Sequence, residues 1–149
     1  MENTTLQVGT KALIYNKSHQ FLLIKRSEKY GYLAGQWDIP GGRIRPGTDL
    51  LTNLAREVKE ETNLVIYDQP ILLTAQDIIT KTNRHIVRLT YLAQARGEIS
   101  IQDEEVTEYQ WCSQLEVAKL NNLDSYIKEV FYKMPQSLYH LLQSEYVKR

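Results

Sequence analysis

The chain has 149 residues, 42% of them hydrophobic and 24% charged, and its 18 basic and 18 acidic side chains sum to zero formal charge. A chain of that length can bury one self-sufficient core. The balance of charge argues against a protein whose affinity comes from neutralising many phosphates of a nucleic-acid duplex, and leaves small phosphorylated ligands open.

The single cysteine, Cys112, excludes an intramolecular disulfide framework and any CxxC zinc or redox motif. Apolar runs such as Phe21 to Ile24 fall far short of the ~20 residues that span a bilayer, so no membrane partner is expected. Met1 to Gly9 carries an acidic Glu2 and no basic stretch leading into an apolar one, so it does not read as a secretory signal. These features predict a cytoplasmic protein.

In chain order, Val8 to Tyr15 and Phe21 to Lys25 are β-rich runs separated by the polar Asn16-Lys17-Ser18-His19-Gln20, and they predict an antiparallel hairpin. Gly31, Gly35, Pro40, Gly41, Gly42, Pro46 and Gly47 then crowd into a loop long enough to be functional. From Thr48 to Thr62 the pattern turns helical. Leu51, Leu54, Ala55 and Val58 mark the buried face, with Thr48 as N-cap and Asp49 as a negative charge at the positive end of the dipole.

Leu64 to Tyr67, Ile71 to Ile79, Arg84 to Ala95 and Tyr109 to Cys112 have strand composition and would complete a mixed or antiparallel sheet. Ser113-Gln114-Leu115-Glu116 fits a capping box. Ile127, Val130, Phe131 and Met134 form an apolar helical stripe ending at Pro135, and Leu138, Leu141 and Leu142 form a shorter one. With no repeat or linker, residues 1–149 read as one α/β (α+β) domain, an α+β or α/β/α sandwich.

The chemistry concentrates in Glu57, Glu60 and Glu61. Their spacing puts all three carboxylates towards one side of a helix, where like charges repel unless a cation or a cationic neighbour offsets them. A solvated acidic face beside Arg56 and Lys59 is the plain alternative. A hard divalent cation, magnesium or manganese, suits oxygen ligands and keeps positions for water and phosphate oxygens. The glycine loop just upstream permits close approach of a ligand to backbone. Together these describe a metal-phosphate site.

The order glycine, five residues, acid, seven residues, Arg-Glu-apolar, one residue, Glu-Glu, one residue, glycine-apolar is the Nudix box. Gly42, Arg56, Glu57, Val58, Glu60, Glu61 and Leu64 match it, and Trp37 to Gly42, Leu22 to Arg26 and Glu105 to Trp111 also resemble the family. The sequence therefore resembles a Nudix hydrolase. Thr48 stands where the pattern has an acid that ties the loop to the arginine matching Arg56, and Asn63 stands where it has a glycine. Asparagine tolerates the left-handed conformation of a helix end.

The resemblance implies a Nudix-type α/β/α sandwich with a mixed β-sheet. It implies a Mg2+- or Mn2+-dependent pyrophosphohydrolase that cleaves a phosphoanhydride in a nucleoside diphosphate linked to another group. Nucleoside triphosphates, ADP-ribose, nucleotide sugars and dinucleoside polyphosphates are the candidate substrates. By the same resemblance Glu57, Glu60 and Glu61 bind metal with the Gly41 carbonyl as a further ligand, Gly42 lies at the substrate, Arg26 holds a phosphate, and Glu105 ligates metal or acts as general base. Asp103, Glu104 and Glu108 compete for that last role.

Trp37, Tyr30 and Tyr32 offer faces on which a nucleobase can stack, against core packing for Trp37 and loop exposure for the tyrosines. Arg84 and Arg88 alternate with Val87 and Leu89, which predicts the solvated face of a strand, with substrate binding as the alternative. His85 reads as a structural or surface histidine and Cys112 as a small packing residue. A homodimer is the default expectation for assembly. The rival reading, motivated by Thr48, is a nucleotide- or partner-binding module on the same fold without useful turnover.

Overall fold

The computed structural model describes residues 4–29 and 31–134, without the side chain of Tyr32. The stacking roles of Tyr30 and Tyr32 and the stripe of Leu138, Leu141 and Leu142 lie outside the described residues. Seven strands and three helices follow in the order β1 (Thr5–Ile14), β2 (Phe21–Arg26), β3 (Trp37–Asp38), β4 (Gly41–Arg43), α1 (Leu50–Thr62), β5 (Val65–Ile79), β6 (Arg84–Arg96), β7 (Val106–Cys112), α2 (Gln114–Ala118) and α3 (Ser125–Tyr132). They build a four-stranded sheet in the order β4-β1-β6-β5 and a three-stranded one in the order β3-β2-β7.

Strand β1 is the pivot. Its Ala12, Leu13 and Ile14 are all fully buried, so both faces are covered, as a central strand paired in parallel requires. It pairs antiparallel with β4 and parallel with β6 over Thr5↔Arg84 to Ile14↔Ala93. The expected hairpin of β1 with β2 is therefore corrected. The turn forms, with Asn16 accepting from the Ser18 and Gln20 amides, but the strands meet only at the isolated bridge Tyr15↔Phe21. Beyond that corner β2 enters the second sheet between β3 and β7. The competing partner of β1 lies some 80 residues downstream, beyond the reach of local turn chemistry.

The two runs around Asp68 form one strand, β5, whose register against β6 is interrupted between Tyr67 and Ile71 and again between Leu72 and Thr74. Ahead of α1 the cap is Asp49, whose side chain accepts from the Thr52 amide, and not Thr48; Asn63 closes the helix in the left-handed conformation at φ 68°. On its sheet-facing side Leu54 and Val58 pack with Ala12, Ile14, Leu22 and Tyr91. Ala55, expected in that face, is exposed, and Asn53, Glu61 and Thr62 are buried instead. The helix is rotated because a second side of it lies against the glycine loop and the buried cations described below.

Leu13, Phe21, Leu23, Ile39, Leu92 and Cys112 form the other core cluster, with Val117 of α2 and Ile127 and Phe131 of α3. The Phe131 ring meets Phe21 edge-on at 5.3 Å between centroids. The Ser113–Glu116 capping box forms as expected. The strands thus lie between α1 on one side and α2 with α3 on the other, the mixed α/β/α arrangement. No helix among the described residues is long and apolar enough to cross a membrane. Leu54→Ala is expected to cost about 3 kcal/mol by emptying a packed site, and Ala55→Gln to stay within about 0.5 kcal/mol on an exposed face; urea unfolding of both variants checks the phase of α1.

Candidate active site

The site is built on charges inside the protein. Arg26, at the end of β2, and Asp38, in β3, are fully buried, and Lys11 of β1 is 6% exposed. Arg26 Nε donates to Asp38 Oδ2 at 3.0 Å, and Lys11 Nζ donates to the same oxygen at 2.8 Å and to the Ile39 carbonyl at 3.2 Å. The other side of the guanidinium reaches α1: Nη1 donates to Glu61 Oε2, and Nη2 points at the Gly41 carbonyl at 3.4 Å. Glu61 Oε1 accepts from the Gly41 amide at 2.7 Å. Two cations and two anions thus tie β1, β2, β3, the glycine loop and α1 together.

The electrostatics follow from that packing. Burial works to raise the Asp38 carboxyl, but Lys11 and Arg26 outweigh it and hold the group well below the usual carboxylate range. Burial pushes Lys11 down, against the pull of Asp38. Burial raises Glu61 despite Arg26 and Lys11. Gly41 adopts φ 144°, and a Cβ there would collide with the Thr10 carbonyl oxygen, so only glycine lets the loop lie this close to β1.

A cleft of about 650 Å³ opens beside this network. Its acidic side carries Glu57, Glu60, Asp103 and Glu105. Oxygens of Glu61, Asp103 and Glu105 lie within 4.8 Å of one another, close enough to share an ion. Glu57 is raised first by burial and further by Glu60, with Arg56 opposing. Glu105 is raised by burial and by Asp103, with Glu61 and Glu60 adding to it. Glu57, Glu61 and Glu105, pushed towards protonation beside further carboxylates, carry an excess of negative charge that a hard divalent cation relieves, so the residues present fit such an ion.

The same cleft is lined by Lys11, Lys29, Arg43, Arg45, Arg56, Arg84 and Arg88, of which Arg45 and Arg56 pair with its glutamates. Here the expectation for β6 is corrected: Arg88 is 5% exposed, and it shares with Arg84 and Ile86 the face that points into the cleft. Parallel pairing sets Arg88 beside Gly9, whose missing side chain leaves the space open. The period-two spacing of Arg84, Ile86 and Arg88 was the available signal, but it does not say which face is which.

Of the expected site residues, Glu57, Glu60, Glu105, Gly41 and Gly42 line the cleft. Glu61 sits behind it as the link to Arg26. Arg26 is corrected from a phosphate holder: its side chain has no exposed surface and is engaged by Asp38 and Glu61. Of the two readings of Trp37, core packing is the one the structure matches, and the substrate-stacking role is corrected. Trp37 packs against the core cluster, its backbone pairs with Asn122 and Asp124, and Lys25 lies 6.0 Å over its ring, away from the cleft. Among the loop acids Asp103 and Glu105 come together with Glu61, while Glu108 pairs with Lys25 at 3.4 Å. The Glu105 backbone amide donates to Asp103 Oδ1 at 2.8 Å and so holds the Asp103 carboxylate at the turn.

A carboxyl whose pKa is raised on folding contributes stability that is fully present below its unfolded value, near 4.5, and is lost as pH rises through the folded one. Without metal, Glu57 therefore opposes folding at neutral pH. Glu57→Gln is expected to raise the melting temperature of the metal-free protein at pH 7, with the difference vanishing towards pH 4; a melting temperature that falls at pH 7 would contradict the direction of the shift.

A family model described as NUDIX domain matches residues 5–134. The nucleoside triphosphatase NudI of Escherichia coli K12 is 32% identical over 106 residues, which is 61% of this chain and 71% of that protein. Nudix hydrolase 7 of Arabidopsis thaliana is 30% identical over 113 residues, 73% of this chain and 40% of that protein. The chain spans about two fifths of the length of the Arabidopsis relatives it matches. Among solved structures, the MutT protein from Methanosarcina mazei Go1 superposes with a TM-score of 0.78 at 27% identity, covering 91% of this chain and 96% of that one. With glycine loop, acidic helix and sheet order in place and the family matched over nearly all the described residues, the chain belongs to the NUDIX domain family.

Proposed function

We propose that this chain is a pyrophosphohydrolase dependent on Mg2+ or Mn2+, cleaving a phosphoanhydride bond in a nucleoside diphosphate linked to another moiety, with residues 1–149 acting as one catalytic unit. The observation that carries the proposal is the gathering of carboxylates and cationic side chains in one cleft of about 650 Å³. A diphosphate chelating a divalent cation is the ligand whose charges match both. The Escherichia coli relative, a nucleoside triphosphatase, favours nucleoside triphosphates first.

Glu57, Glu60, Glu61, Asp103 and Glu105 would hold the metal, with the Gly41 carbonyl as a neutral oxygen donor. When bound, the ion polarises phosphoryl oxygens and lowers the pKa of water. Arg26 holds Glu61 in place through its fork, and Gly41 orients the same carboxylate through its amide. Arg84, exposed at the cleft, neutralises the phosphates, while Arg88, held 3.7 Å from Asp124 and 5.8 Å over the Tyr126 ring, adds its charge to the same wall. Glu105, raised by burial and by Asp103, is the carboxylate suited to take a proton from the attacking water.

The test is a hydrolysis screen of the full chain with Mg2+ or Mn2+ over nucleoside triphosphates, ADP-ribose, nucleotide sugars and dinucleoside polyphosphates. Turnover is expected to fall roughly a hundredfold or more in Glu57→Gln and to vanish on chelation. Arg84→Gln is expected to raise KM about tenfold with little change in kcat, the size of one charge-assisted contact. Ligand-induced thermal stabilisation with no turnover on any substrate would replace the enzyme by a nucleotide-binding module.

A further inference from the structure

Asn53 is an amide inside a helix, a residue type that favours caps and turns over helix interiors, and it is fully buried. Both ends of its side chain are in use. Nδ2 donates to Thr10 Oγ1 at 2.9 Å on β1 and to the Gly42 carbonyl at 3.3 Å on β4, and Oδ1 accepts from Arg56 Nη2 at 2.6 Å. The same Arg56 nitrogen donates to Glu57 Oε1 at 3.0 Å, and Nη1 donates to both oxygens of Glu60 at 3.1 Å. One amide therefore connects two strands to the arginine that holds two of the cleft's carboxylates. Gly42 closes the circuit, because a Cβ on it would come within 2.7 Å of the Glu57 carboxylate.

Two features show that this link is not incidental. The acid that the family resemblance would put at position 48, tied to the arginine matching Arg56, is absent, because Thr48 stands there. Asp49, the nearest candidate to replace it, is spent on the Thr52 amide as the helix cap. Arg56 Nε is buried and has no hydrogen-bond partner, so the guanidinium keeps an unanswered donor and depends on Asn53 for its tie to the sheet.

We propose that Asn53 is the positioning residue of this site: it carries, in this chain, the brace between loop and helix that an acid at position 48 would supply, and through Arg56 it sets Glu57 and Glu60 for the metal. The proposal rests on the reading that these carboxylates bind metal. Its chemistry is that of an outer-shell group, whose removal typically costs 10–100-fold in metal affinity, roughly.

The experiment compares the full chain with Asn53→Ala, Thr48→Glu and the double variant, reading Mn2+ affinity by titration calorimetry and thermal unfolding without metal. Asn53→Ala is expected to weaken Mn2+ about tenfold or more and to lower the melting temperature by about 3 °C or more. Thr48→Glu alone should change neither by more than about twofold or one degree, yet in the Asn53→Ala background it should recover Mn2+ affinity to within about threefold of the parent. Equal effects of Thr48→Glu in both backgrounds, or unchanged Mn2+ affinity in Asn53→Ala, overturn the proposal.

If Asn53→Ala does not fold, Asn53→Asp decides, since it keeps an acceptor for Arg56 and loses the donors to Thr10 and Gly42. A loss of Mn2+ affinity of about tenfold or more supports the brace, and affinity within about threefold of the parent overturns it. A parent chain that binds no Mn2+ would refute the metal-dependent hydrolase instead, and the non-additivity of the metal-free melting temperatures would still decide the role of Asn53.

Discussion

The structure depends on a buried exchange of charge between Arg26 and its two carboxylates. Asp38 and Glu61 come from β3 and α1, elements with no backbone pairing to each other, and one planar guanidinium joins them. Such pairs contribute little net stability once desolvation is counted, but breaking one leaves an uncompensated charge in the core. The network therefore acts as a locator. It decides where α1 lies against the glycine loop, and with it which helix face is apolar and which carries the site.

From that position the two sides of the cleft follow. Turning α1 until Glu61 meets Arg26 brings Glu57 against Gly42 and leaves Glu60 at the rim, between Arg56 and Arg45. The loop before β7 then supplies Asp103 and Glu105 from the other direction. Carboxylates that burial and mutual repulsion push towards protonation are an unfavourable arrangement on their own, and they match a divalent cation. Lys11, Arg43, Arg84 and Arg88 of the cleft are drawn from β1, β4 and β6, so the sheet that buries the core also lines the site.

Much of the local structure was legible in the sequence because its causes are local. The α1 span, the left-handed Asn63 and the Ser113–Glu116 box each depend on a few adjacent residues. The glycine loop and the three glutamates were legible for the same reason, since their chemistry is carried by spacing along one helix. One departure is local: Thr48 lost the cap to Asp49, a shift of one residue. The others are tertiary. The β1–β2 hairpin lost to a parallel partner far downstream, and Ala55 lost its burial to Asn53 and Glu61. Trp37 and Arg26 went to the core, and Arg88 came to the cleft, because burial is a property of the assembled sheets.

What the sequence by itself determined is the chemical inventory: a glycine-rich turn, a helix with carboxylates at positions 57, 60 and 61, and no shortage of arginine to balance them. Only the tertiary structure decided which of those charges face each other. Arg26 and Glu61 meet across 35 positions and Asn53 and Thr10 across 43, and neither pairing leaves a trace in periodicity or composition. The reason is physical: a side chain's reach covers one or two turns of helix or the next strand, so long-range partners are chosen by how the sheets close, and the role of each charged group is chosen with them.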